Sequence, residues 1–250
     1  QEASASSKSP IDRTVIDCSS VVNTTPRDAS RGMNLGGRMT NSPAQQRTVI
    51  FYLQPEFTML AFCAAIEPLR SPNLILGFDA YKWRLVSRTG EPVAASNGIE
   101  LRVDTSIEDE RKLMLGQHRP SFLFVCGGLN IERYHTKSLS AWLREEYNRG
   151  VKIGGLCTAA YSLGAAGLLN DKRCAIHWEN LPGFQEAFPQ VSVYSDLFEI
   201  DGNIYTCAGG TATLDMMLSI ISDDFDDATV NRICEMVLTD RVRNPTDRQR

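Results

Sequence analysis

At 250 residues, with 42% hydrophobic and 22% charged side chains, the chain is long enough to bury a sizeable core and too apolar to be wholly disordered. No run approaches the roughly 18–20 consecutive apolar residues of a spanning helix. Gln1-Glu2-Ala3-Ser4 also lacks the basic-then-apolar pattern of a secretory signal, so a cytoplasmic protein without membrane contact is expected. A net charge of −4, from 26 basic and 30 acidic residues, leaves no electrostatic footprint for nucleic acid on this chain.

Residues 1–46 contain no Phe, Tyr or Trp and are rich in Ser, Thr, Asn, Gly and Arg, which predicts a flexible arm. Thr48-Val49-Ile50-Phe51-Tyr52-Leu53 then reads as a buried strand, and Leu60, Ala64, Glu67 and Leu69 as a helix over about 58–67 closed by Pro68. Strands follow at Lys82–Ser87 and Ile99–Val103, then an acidic stretch at Glu108-Asp109-Glu110. Ser121–Cys126 is the most apolar strand and stops at Gly127-Gly128. Leu139, Trp142, Leu143 and Tyr147 at helical spacing predict a helix over about 135–148, stopped by Gly150. Strand Val151–Leu156 runs straight into a small-residue helix from Cys157 to about Gly167.

Cys174-Ala175-Ile176 reads as a short strand and Glu179–Ala187 as a short helix. Two strands are expected near 191–194 and 197–207, with Asp201-Gly202-Asn203 as the hairpin turn. Leu214–Ile221 is apolar nearly all round, and Val230, Ile233, Cys234, Val237 and Leu238 mark a last amphipathic helix. Strands alternating with helices predict an α/β fold with a mostly parallel central sheet and helices on both faces, its sites beyond the carboxyl ends of the strands.

Seven cysteines, at 18, 63, 126, 157, 174, 207 and 234, include no Cys-x-x-Cys pair, and the three histidines are scattered. No metal site, cofactor or disulfide framework is expected. One cysteine stands apart. In Ile153-Gly154-Gly155-Leu156-Cys157-Thr158 a strand turns into a helix at Cys157 with only small residues around it, the setting of a nucleophile elbow. The helix start behind it predicts a lowered thiol pKa. Cys126-Gly127-Gly128-Leu129 is a second strand end, where backbone amides of Gly128 and Leu129, with that of Thr158, would form an oxyanion hole or a carboxylate nest. His177 follows a short strand after the elbow helix and is placed near Cys157, as a base or as a ligand contact. Trp178 would offer an aromatic face to a cationic head group, or would pack in the core.

The run Gly155-Leu156-Cys157-Thr158-Ala159-Ala160-Tyr161-Ser162-Leu163-Gly164, with Arg173 and Ile176-His177-Trp178, resembles the PfpI-like, class I glutamine amidotransferase-like superfamily. Pro55-x-Phe57, Glu67-Pro68-Leu69-Arg70, Ala208-Gly209-Gly210-Thr211-Ala212 and Val237-Leu238-Thr239-Asp240-Arg241 are similar to its GlxA-type branch of AraC-family transcriptional regulators. The resemblance covers about residues 47–250. It implies a flavodoxin-like three-layer effector-sensing domain over 47–240, usually dimeric, that binds a small metabolite such as an amino acid or betaine. Residues 241–250 would be a linker to a helix-turn-helix domain missing from this chain, through which alone DNA would be bound. The chain is then either a domain cut from its parent or a natural truncation.

Enzymatic relatives place an acidic residue beside the cysteine, at the position that corresponds to Ala61. A methyl group there argues against enzyme activity, although Glu56, where regulators of this branch more often show glycine, lies close in sequence. The expected pocket therefore comprises Cys157, Thr158, Gly128, Leu129, His177, Trp178 and Glu56. The alternatives are a cysteine-dependent amidase, hydrolase or lyase using Cys157 and His177, and a redox sensor at Cys157 for which sequence places no resolving cysteine.

Overall fold

The computed structural model describes residues 46–115 and 119–250. The arm expected over 1–46 lies, all but Gln46, outside the described residues. The chain runs through β1 (Arg47–Leu53), α1 (Met59–Leu76), β2 (Tyr81–Ser87), the small antiparallel pair β3 (Val93–Ala94) and β4 (Glu100–Leu101), β5 (Thr105–Ser106) and α2 (Ile107–Met114). It continues with β6 (Phe122–Cys126), α3 (Ile131–Tyr134), α4 (Lys137–Asn148), β7 (Lys152–Leu156), α5 (Ala160–Ala165), β8 (Arg173–Ala175), α6 (Leu181–Ala187) and β9 (Ser192–Tyr194). β10 (Phe198–Asp201), β11 (Ile204–Cys207), α7 (Ala212–Asp224) and α8 (Asp227–Met236) follow.

Seven strands form one sheet in the order β10-β11-β7-β6-β1-β2-β5, every pairing parallel except β10 with β11. Alternation along the central strands sorts the core into two layers. Val49, Phe51, Leu53, Phe122 and Phe124 face α1, α7 and α8, whereas Ile50, Tyr52, Leu123 and Val125 face α4 and α5. Both faces are buried, as βαβ crossovers require, and the expected flavodoxin-like α/β architecture is present. Its margins are the two-residue β5 and the charged β10, whose Glu199 and Asp201 engage Arg173 and Lys172 beside β8.

Four expectations need correction. α1 does not stop at Pro68 but runs through Pro68 and Pro72 to a left-handed Gly77, because Ala61, Phe62, Ala65 and Leu69 bury one stripe of it. The Ser71 hydroxyl donates to the Glu67 carbonyl within the turn that holds both prolines. The acidic stretch at 108–110 is the first turn of α2, capped by Ser106, whose side chain accepts the Asp109 amide. The strand expected at Ile99–Val103 shrinks to Glu100–Leu101, and Thr105–Ser106 pairs with β2 instead. The Asp201-Gly202-Asn203 turn lies inside the 197–207 span and splits it into β10 and β11, while Ser192–Tyr194 pairs with β8.

Candidate functional site

The sheet order reverses between β1 and β6, and a cavity of about 660 Å³ opens beyond the carboxyl ends of the strands there. Thr58 enters it from the β1–α1 loop, Gly128 to Arg133 from the segment after β6, Cys157 and Thr158 from the end of β7, and Gly210 from the end of β11. His177, Glu179 and Asn180 close the far wall.

Local backbone strain converges on this place. Five non-glycine residues among those described have positive φ, and three of them follow three neighbouring strands here: Glu56 (60°), Asn130 (51°) and Cys157 (61°). Each costs free energy that only surrounding structure can hold in place, and such residues cluster at functional sites. Close packing supplies the hold. A Cβ on Gly128 would fall on the Glu56 carbonyl oxygen, and one on Gly209 would lie 2.6 Å from the Cys157 Cβ. The Thr158 hydroxyl donates to the Gly128 carbonyl at 2.7 Å and ties the elbow to the glycine loop.

Cys157 is 6% exposed. Burial pushes its thiol above the ordinary cysteine range, against the lowering expected from sequence. The Thr58 hydroxyl, donating to Sγ at 3.6 Å, and the Thr158 amide oppose the rise, while Cys207 and Glu179 add to it. The physical reason is the shortness of the helix behind the cysteine. A single 3₁₀ turn at Cys157–Ala159 leads into only six residues of α5, too little helix to offset desolvation.

The expected residues divide. Cys157, Thr158, Gly128, Leu129 and His177 all line the cavity. Leu129 does so with a largely exposed side chain, while its amide is spent on the Glu56 carbonyl at 3.1 Å. The Thr158 amide faces the Cys157 sulfur. Glu56 lies behind the wall, where its carboxylate accepts from the Asn130 side chain at 2.6 Å and fixes a lining residue in its left-handed conformation. Trp178 does not line the cavity; its ring lies 4.3 Å beneath the Arg250 guanidinium. Ala61 is buried in α1 and likewise does not line the cavity. His177 Nδ1 lies 3.7 Å from a Glu179 carboxylate oxygen rather than against the thiol.

Thr58, Glu132, Arg133, Glu179 and Asn180 were not anticipated. Thr58 carried a signal, since it precedes α1 in the N-cap position, yet its side chain makes no cap bond and turns to the sulfur instead. The charges of Glu132, Arg133 and Glu179 put both signs around one cavity. Among the described residues, no group of three or more His, Cys, Asp or Glu is placed to hold a metal ion.

Residues 47–223 match the DJ-1/PfpI family. The chain belongs to that family. It is 39% identical over 200 residues to the HTH-type transcriptional regulator CdhR of Pseudomonas aeruginosa, covering 80% of this chain and 57% of that protein. To the HTH-type transcriptional regulator GlxA of Rhizobium meliloti it is 33% identical over 201 residues, covering 80% and 60%. This chain therefore spans less than two thirds of the regulators it matches. The crystal structure of an AraC family transcriptional regulator from Pseudomonas putida superposes with a TM-score of 0.69 at 27% identity, covering 76% of this chain and 99% of that one. These are the family and the regulator branch whose motifs the sequence resembles. No helix among the described residues is long and apolar enough to cross a membrane.

Proposed function

We propose that this chain is the effector-binding part of an AraC-type transcription regulator, taking a small metabolite in the Cys157 cavity. The observation that carries the reading is the cavity itself: three strained left-handed residues after adjacent strands surround one opening, in a chain whose relatives are named transcriptional regulators. In this reading residues 47–240 sense the effector and 241–250 lead toward a helix-turn-helix domain outside this chain, which alone contacts DNA. The protein is cytoplasmic and acts as a homodimer.

The cavity chemistry favours a small zwitterion of amino-acid or betaine type. Glu132 and Glu179 suit its cationic end and Arg133 its carboxylate. Cys157 serves as a wall of the cavity rather than as a nucleophile, because its thiol is raised by burial and Ala61 stands where enzymatic relatives carry an acid. Thermal unfolding in the presence of betaines, amino acids and polyamines tests this. One class should raise stability by RT ln(1 + [L]/Kd), about 2.7 kcal/mol at a hundredfold excess over Kd, and Glu179→Gln should weaken that gain. A flat response across the whole screen overturns the reading.

A further inference from the structure

The last residues of the chain do not run free; they cross back over the domain and fasten to both walls of the Cys157 cavity. Arg243 donates from Nε and Nη2 to one oxygen of the Asp215 carboxylate, at 3.0 and 2.7 Å, and from its amide to the other at 2.8 Å. Its guanidinium also reaches the Thr211 hydroxyl at 2.9 Å, one residue beyond the lining Gly210. Pro245 accepts the Leu197 amide at 2.9 Å, and Arg248 bridges Asp196 in antiparallel fashion.

At the other wall Gln249 uses every polar atom of its side chain. Its Oε1 accepts the Trp178 amide at 2.8 Å, and its Nε2 donates to the carbonyls of Ile176 and Asp196, each at 2.9 Å. Arg250 then covers the Trp178 ring. Residues 176 and 178 flank His177, and Glu179 and Asn180 follow directly, so one amide side chain and one guanidinium hold the segment that closes the cavity. Three backbone groups joined to one side chain form a clasp, which the polar residues of 244–250 did not announce.

We propose that residues 243–250 are a strap whose docking sets the opening of the Cys157 cavity. With the clasp made, loop 177–180 is held over the cysteine; with it released, the loop swings away and the cavity opens. The coupling is reciprocal: a ligand that favours the closed loop favours the docked strap, and undocking the strap weakens the binding of that ligand by the same factor. The device goes beyond the proposed function because it gives residues 243–250 a role of their own at the cavity and needs no effector to operate.

Cys157 is a built-in reporter, since an alkylating reagent reaches it only through the cavity. The test is the rate of iodoacetamide labelling in the Gln249→Ala/Arg250→Ala variant, read by mass spectrometry at each cysteine. Exposed Cys63 serves as reagent control, buried Cys174 as a control for global loosening, and Thr246→Ala as a substitution control in the strap. Cys157 is expected to label about tenfold faster, the equivalent of about 1.4 kcal/mol of lost loop closure. That is within reach of three lost hydrogen bonds and a cation–aromatic contact. Cys63 and Cys174 should label at their original rates. An unchanged Cys157 rate overturns the proposal, and so does a parallel rise at Cys174, which would make the strap a fastener of the whole fold rather than of the cavity.

Discussion

Cys157 shows how two local effects compete and which one wins. The elbow backbone, the Thr58 hydroxyl and the Thr158 amide all favour thiolate, yet near-complete burial outweighs them. A raised thiol pKa keeps the protonated form through the pH range in which a free cysteine, near 8.5, already ionises. Its alkylation rate should therefore still be climbing above that pH. A plateau near neutral pH would identify an activated nucleophile and revive the enzymatic alternative. Gly209 makes a second residue-scale case, with φ +84° and no room for a Cβ against Cys157. Gly98 has nearly the same φ, +83°, but open space around it. Gly98→Ala should cost about 1–2 kcal/mol from backbone strain alone. Gly209→Ala should cost a further ~1–3 kcal/mol for overlap, read as the difference between urea midpoints. At this scale sequence located Cys157, Thr158, Gly128 and His177 at one cavity, because a glycine-flanked strand end dictates where the chain turns. It misplaced Trp178, because adjacent residues of a loop point opposite ways and nothing local decides which one faces the cavity.

Among the elements, α2 is held to β2 by a buried ion pair as well as by the apolar contacts of Ile107 and Met114. Glu110 is fully buried and takes three contacts from the Arg84 guanidinium. Arg84→Met strands that carboxylate and should cost about 3–5 kcal/mol in chemical denaturation. Adding Glu110→Gln should recover much of the loss, and simple additivity of the two substitutions would show that the pair is not coupled. This helix was not legible as one, since its acidic residues and paired basic side chains hide the apolar stripe of Ile107 and Met114. A readable signal did exist: Ser106 three residues before Asp109 has the spacing of a capping motif. The central strands were legible to within a residue or two, because their apolar runs have no other use in a fold buried on both faces. α1 was cut short at Pro68 because a proline stop is a local rule, whereas its continuation depends on packing against α7 and β2 that lies far away in sequence.

For the molecule as a whole, the two core layers share tyrosines that tie stability to alkaline pH. Burial raises Tyr52 to about 12 and pushes Tyr81, which also donates to Asp224, higher still. In the unfolded chain both ionise near 10. Between that pH and the raised values the unfolded state has released protons that the folded state keeps. The tyrosine part of the stability is therefore unchanged below pH 10 and falls above it, by about 1.4 kcal/mol per pH unit for each tyrosine. Tyrosinate absorbance during an alkaline titration should show an early phase from exposed tyrosines and a late phase coincident with unfolding. Tyr52→Phe should move the late phase to higher pH; a single phase near pH 10 would contradict the burial argument.

The margins of the sheet bear on how this molecule meets others. One side ends in a two-residue strand with little main chain to share. The other ends in carboxylates already held by a lysine and an arginine of the same chain. A neighbouring backbone thus meets a very short edge on one flank and a charged one on the other, two features that disfavour strand addition and the route to fibrils. Both margins thereby favour contact through helices and loops, where side chains rather than peptide groups choose the fit.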